Sequence, residues 1–377
     1  MLKHLKFAAI ALLLTIGFTA CSDDEPTPTP YHPRGEKGFY VVNQGNSYSK
    51  IAGSIDEIAF GTTDTTLVSS VFQKANGGMS IGNSPQKPII YGSKIYIPMY
   101  DENLVWVIDA KSMKHIVALK TNQPEAVCGC NGYLFVTNND GYVTRFDTIN
   151  YTHLDPLAVG PNPSGITASN NKVYVAISDG YNSSANYENG FKVAQIDAKE
   201  FTIDKNITVG MNPTNITSDN QGNIFVACQG NYGYNSYPYQ APKIWKIDNA
   251  GNAAEFCDGS IIATDNQNRL SRSTEKQSVL YVLNATTDWS IGATNIASSI
   301  YNTQTGELLQ NDFLPSDNLP GNPICIDINP TTNELYICAD SNAFGYGDPG
   351  YVFVYSASGD FITKYNVGVH PYGVIFK

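Results

Sequence analysis

Basic charge is scarce in this chain. Its 23 Lys and Arg residues, only four of them arginine, face 34 acidic residues, a net charge of −11. Such a balance repels phosphate backbones and anionic lipid heads, so no nucleic-acid partner is expected. Histidine is also sparse: five in all, of which only His115, His153 and His370 lie beyond the N-terminal region. No Ser/His/Asp order, zinc-ligand spacing or phosphate-cradling glycine loop is present, so no enzyme, metal or cofactor is expected. Helical periodicity is missing throughout. The one long apolar run, Phe7 to Phe18, is too short to cross a bilayer.

That run belongs to the opening "MLKHLKFAAIALLLTIGFTAC", with two lysines, an apolar stretch, small residues and then Cys21. The pattern is a secretory signal over residues 1–20. "FTAC" resembles a bacterial lipobox, with Phe18 where Leu is usual, and the resemblance implies lipidation of Cys21. The alternative is an ordinary cleavage site with an incidental cysteine. Residues 21–37, acidic and then rich in Pro and Thr, read as an extended tether. Ser22 is not the aspartate of inner-membrane retention, and the run Asp23-Asp24-Glu25 resembles the surface-export signal of Bacteroidota lipoproteins. The implied location is the outer membrane, lipid-anchored and exposed at the cell surface. Without its first twenty residues the chain carries 34 acidic and 21 basic side chains, a net charge of −13.

Self-similarity organises the rest. "GPNPSGITASNNKVYVAISDG" with "FKVAQIDAKEFTIDKNITVG" recurs as "GMNPTNITSDNQGNIFVACQG" with "PKIWKIDNAGNAAEFCDG", and again as "GNPICIDINPTTNELYICADS" with "GYVFVYSASGDFITKYNVGV". Four alternating apolar and polar runs fill a period of about 40–55 residues, the pattern of a β-propeller blade. The expected fold is all-β: a seven-bladed β-propeller over residues 38–377. Its blades fall near 38–79, 80–121, 122–160, 161–210, 211–258, 259–317 and 318–369, and the C-terminal "HPYGVIFK" supplies the missing strand of the first blade. Closure of this kind hides sheet edges.

Within a blade, strands A to D run outward from the central channel and alternate in direction. The D-to-A connection, carrying Asn162-Pro163, Asn212-Pro213 and Asn322-Pro323, therefore shares a face with the B–C loop. The A–B and C–D turns are short, whereas the B–C loops are long and differ, so length variation is expected on one face. "NYGYNSYPYQAP" at 231–242 is the most aromatic of these loops. Tyr181, Tyr187, Tyr232, Tyr234, Tyr237, Tyr239, Trp289, Phe344 and Tyr346 are the candidate ligand-binding residues, expected to converge on one rim. Rigid rings with polar tips give broad contact at low entropy cost. Some of these rings would instead pack their own loops.

Trp106 and Trp245 occupy equivalent strand C positions and read as inter-blade packing. His370 stands where the repeat has Asn, either as a substitution within the repeat or as a metal contact. Asp101, Glu102, Glu188 and Asp348 lie in scattered rim loops, where acid–base pairing or calcium binding stays open. Cys325 and Cys338 flank a tight turn and would lie opposite each other, either as a cross-strand disulfide or as small buried hydrophobes.

The "NPxxI" start, the "VYVA" or "IFVA" second strand and the "VAQID" or "IWKID" third strand resemble YncE/YVTN-like propellers. Together with the lipobox, the acidic run and the Tyr/Asn-rich rim, the chain resembles the BtuG-type corrinoid-binding surface lipoproteins of Bacteroidota. That resemblance implies capture of cobalamin or another corrinoid, as ligand and not cofactor, and its delivery to a TonB-dependent outer-membrane transporter. Membrane association would be through the lipid alone. A glycan-binding lipoprotein would use the same rim to stack sugar rings, and a lactonase-like propeller enzyme would need a His, Arg and Glu cluster at the channel mouth.

Overall fold

The computed structural model describes residues 37–61, 64–231, 233, 236–265, 278–345 and 347–377. The expectations for the signal segment, for Cys21 and its tether, and for Tyr232, Tyr234 and Tyr346 fall outside these residues.

The described residues form seven four-stranded antiparallel sheets. Six take their four strands in chain order, and the remaining sheet is built from both ends of the chain. There the C-terminal strand Pro371–Phe376 lies against Gly38–Asn43, with Phe39 opposite Phe376 and Val41 opposite Val374. The first blade is thus closed by the C-terminal strand, as the repeat predicts. This joint is sealed by rings, since Tyr336 of the last blade meets both Phe39 and Phe376 edge-on at 5.0 and 4.9 Å.

Strand B is the most deeply buried strand of a typical blade. Ile224–Cys228 and Leu335–Asp340 are buried at every position, because both faces are covered by neighbouring blades. This is why their sequences, "IFVAC" and "LYICAD", lose the polar half of the β alternation. Trp106 and Trp245 pack between sheets as expected. The indole N–H of Trp106 donates to the Ile81 carbonyl at 2.8 Å, and Trp245 lies against the backbone of Gly210.

Three features depart from the sequence reading. A short helix, Val71–Ala75, packs Val71 and Phe72 into the core between the first two blades. The B–C connection of the sixth blade is no loop but a continuation of both strands, Val279–Asp288 paired with Ala293–Asn302 over ten residues each, ending in a turn at Trp289–Gly292. Nor is length variation confined to the B–C face. The A–B connection of that same blade takes up residues 266–277, outside the described set, and the pair Asp265 and Val279 from which it leaves is at the end of the strands away from the B–C turn.

Candidate functional site

Each strand A begins at the channel mouth in a repeated way. The residue before its first proline takes the left-handed conformation in five blades: Ser84, Gln123, Asn162, Asn212 and His370, with φ of 52, 43, 46, 54 and 54°. Asn accepts this conformation more readily than most residues, which suits Asn162 and Asn212; Asn322, the third "NP" asparagine, is not left-handed. His370 fills the Asn place with the same backbone, and its Nδ1 lies 2.8 Å from the Asp340 carboxylate. The carbonyl exposed by this twist accepts the N–H of the residue that follows strand B: Gln44 to His370 at 2.8 Å, Asn139 to Gln123 at 3.0 Å and Gln229 to Asn212 at 2.9 Å. Proline costs no ladder bond here, because strand A is the innermost edge and its outward N–H would face the channel.

Immediately after that proline, five blades carry a one-residue bulge in the A–B pairing. A bulge re-aims the extra side chain. The bulge residues and their counterparts in the other two blades form a ring of seven: Tyr372, Gln86, Glu125, Ser164, Thr214, Ser260 and Ile324, all lining one cavity of about 980 Å³. The repeat therefore builds a throat of fixed backbone whose seven side chains all differ in character or setting. Close approach helps to set its bore: a Cβ on Gly165 would come within 2.2 Å of the Thr214 carbonyl of the next blade.

Above the throat the same cavity is walled by Asn231, Tyr239 and Pro242 from the fifth blade and by Thr286, Thr287 and Trp289 from the sixth. Tyr239 and Trp289 are 61 % and 60 % exposed, so their rings are open to a ligand. The loop bearing Tyr239 is closed at its base by Asn231, whose N–H donates to the Gln240 carbonyl at 3.1 Å. The Asn231 amide also donates to Asn186 Oδ1 at 2.8 Å, tying the loop to its neighbour in the fourth blade. Phe344, also exposed, lies against Gly292 at the tip of the sixth-blade hairpin, and the Ala343 N–H donates to the Gly292 carbonyl at 3.2 Å. The fifth and sixth blades thus supply the rings that wall the cavity, while Phe344 of the seventh does not line it and lies against the hairpin tip.

The other expected rings are placed differently. Tyr237 is exposed but does not line the cavity. Tyr187 is only 4 % exposed and offers no surface to a ligand; left-handed at φ 55°, it closes a tight loop, its N–H donating to the Asn182 carbonyl and its own carbonyl accepting from Gly190. Tyr181 is 72 % exposed and belongs to a polar cluster that the sequence does not announce. Asn139 donates to the hydroxyls of both Tyr100 and Tyr181, at 2.7 and 3.0 Å, and those hydroxyls lie 3.0 Å apart. Asn162 in turn donates to Asn139 Oδ1 at 2.8 Å. Burial, with the Tyr181 bond second, pushes the Tyr100 phenol up to about 12. Three successive blades are joined through this cluster, so neither Tyr100 nor Asn139 stands out in any single repeat.

The rim acids Asp101 and Glu102 serve their own loops. Asp101 accepts from Ser47 and Ser84, and Glu102 accepts the Asn83 N–H at 3.0 Å. Cys325 and Cys338 face each other in register, as the hairpin predicts, and they are free thiols. The contact with Cys325, followed by burial, raises the Cys338 thiol well above its ordinary range. Their sulfurs and an Asp327 oxygen lie within 4.8 Å of one another, but Asp327 is already paired with Lys87 at 2.8 Å and accepts the Val374 N–H at 2.8 Å. Burial works against the Lys87 charge, yet the Asp327 carboxylate outweighs it and raises the lysine's pKa.

Solved structures share this architecture. A quinonprotein alcohol dehydrogenase-like protein from Bacteroides thetaiotaomicron superposes with a TM-score of 0.61 at 15% identity, covering 90% of this chain and 78% of that one. The hydrazine synthase of Kuenenia stuttgartiensis gives a TM-score of 0.59 at 17% identity, covering 77% of this chain and 88% of that one. At such identities the likeness is one of fold alone. No curated protein matches the sequence. The profile of the family described as "Domain of unknown function (DUF5074)" matches residues 37–377, and the chain belongs to that family.

Proposed function

We propose that the B–C face is a capture site for a large, flat, uncharged ligand fringed with amide groups, of the corrinoid class, cobalamin among them. The observation that carries this reading is that Tyr239 and Trp289, from different blades, wall one cavity of about 980 Å³ with hydrogen-bonding side chains beneath them. That volume lies at the upper end for sites that enclose a drug-sized ligand, so a corrin would sit partly in the mouth and partly above it. Rings stack on broad apolar faces, while the Asn, Thr and Ser groups of the throat and the free edge of each strand A supply amide partners. The tied loops lose little freedom on binding, which favours affinity. No bond is broken: the function is capture and hand-over. Lipid on Cys21 and the tether over residues 21–37 would hold the propeller at the outer-membrane surface, where a TonB-dependent transporter receives the ligand at raised local concentration.

Calorimetric titration of the purified protein with cyanocobalamin tests this. Saturable binding is expected, weakened about tenfold, or about 1.4 kcal/mol, by Trp289→Ala or Tyr239→Ala. Binding that ignores both substitutions contradicts the site. Absence of cobalamin binding together with saturable binding of an oligosaccharide would assign the same rim to glycans.

A further inference from the structure

One member of the throat ring differs in kind from the rest. Glu125 follows Pro124 at the mouth of the third blade, and its carboxyl lines the cavity without a hydrogen-bond or ion-pair partner among the described residues. Glu125 is half-buried, and a carboxylate so far withdrawn from water normally finds a cation or several donors. Among the described residues lining the cavity the one basic side chain, Lys87, is committed to Asp327 at 2.8 Å and to the Ile326 carbonyl at 3.2 Å. The throat is therefore short of one positive charge.

What surrounds Glu125 defines the missing group. On one side Gln86 donates its amide N–H to the Ser84 carbonyl at 3.1 Å, which leaves its amide oxygen without a partner among the described residues. On the other, the Ser164 hydroxyl is likewise unpaired among the described residues. Two phenols feel the Glu125 charge, Tyr372 and Tyr100, each held up at about 12, chiefly by burial, and so neutral at physiological pH. An ammonium group has three N–H donors and no acceptor, and it matches one carboxylate and two flanking oxygens. A carboxylate or phosphate would meet Glu125 and a strongly acidic protein, with no uncommitted cation among the described residues that line the cavity.

We propose that the throat is a subsite for a protonated amine, held by Glu125 as a carboxylate with Gln86 and Ser164 as acceptors on the adjoining blades. This site goes beyond the aromatic rim and needs no corrinoid. Burial holds the empty carboxyl up to about 7, so the amine must also displace a proton below that pH.

The test is titration of the purified protein with n-butylammonium chloride between pH 5.5 and 8, with 1-butanol as the uncharged control. The amine, with a pKa near 10 like that of lysine, stays charged across this range. Its affinity is expected to rise about tenfold or more over the range, and 1-butanol should bind more weakly and without pH dependence. Glu125→Gln, which keeps size and shape, should lose about tenfold or more in amine affinity and flatten the profile, whereas Glu125→Asp should keep the profile's direction. No binding of butylammonium, equal binding of 1-butanol, or an unchanged profile in Glu125→Gln each overturns the proposal. The titration contains no corrinoid, so its outcome is independent of the capture test at Trp289 and Tyr239.

Discussion

The two faces of the disc treat their repeats in opposite ways. On the A–B and C–D side, Asp109, Asp147 and Asp197 end strand C and Asp248 directly follows it, and all four do the same work, each turning its Oδ1 to accept backbone N–H groups two to four residues on. On the other side, one throat position per blade, a bulge in five of them, carries Tyr, Gln, Glu, Ser, Thr, Ser and Ile. The backbone repeats on both faces, but only on the first does the side chain repeat with it. Conserved chemistry at a repeated position marks construction, and divergent chemistry at a repeated geometry marks recognition.

The sharpest break of this contrast removes the shared scaffold. Deleting His370–Lys377 takes away the inner strand of the first blade and bares the edges of Gly38–Asn43. Loss of cooperative thermal unfolding and an expanded scattering radius are expected. A compact, cooperatively melting product would show that the ring does not depend on this closure.

Next in size is a substitution on the recognition side that should raise stability. Glu125 is held at about 7 by burial against an ordinary 4.5, so the folded state binds its proton more tightly than the unfolded state. Stability is therefore lost as pH rises from 4.5 through 7. Glu125→Gln should be more stable than the parent above pH 7, by up to about 3 kcal/mol, with the difference vanishing below pH 4.5. Denaturant melts at pH 4, 6 and 8 read this directly, and a pH-independent difference would contradict it.

A smaller effect separates backbone from side chain at the mouth. Asn212 is left-handed at φ 54°, and its carbonyl, not its side chain, accepts the Gln229 bond. Asn212→Ala should cost about 1 kcal/mol and Asn212→Gly close to nothing. Equal losses would mean that the Asn side chain itself matters.

The smallest effect belongs to the construction face. Hydrogen bonds from the Glu200 N–H, Lys172 and the Lys199 N–H lower Asp197 to about 2. Its contribution is present above pH 4 and is lost as pH falls through 2. Asp197→Asn should melt slightly lower than the parent at pH 7 and level with it at pH 2, with no change in ligand binding.

The propeller is legible in the sequence because the "NP" start, the apolar second strand and the "ID" end of the third recur with little change. The sixth-blade hairpin is hidden for a physical reason. Beyond Leu283 its strands leave the core, so Asn284–Asp288 alternate without burial and read as a loop. Aromatic content alone does not separate Tyr187, which is buried, from Tyr239, which walls the cavity. Six of the seven throat positions had a signal, the residue after the strand A proline, but in five blades the inward aim comes from the bulge and not from composition. The Tyr100, Asn139 and Tyr181 cluster spans three blades, and pairwise reading along one repeat does not assemble it.

The central claim is that recognition belongs to one face. Hydrogen exchange with and without cyanocobalamin reads both faces at once. The account predicts slowed exchange in 229–242 and 284–294, with the turns at 109–114 and 197–202 unchanged. Protection confined to those turns, with the aromatic mouth unaffected by bound ligand, would contradict it.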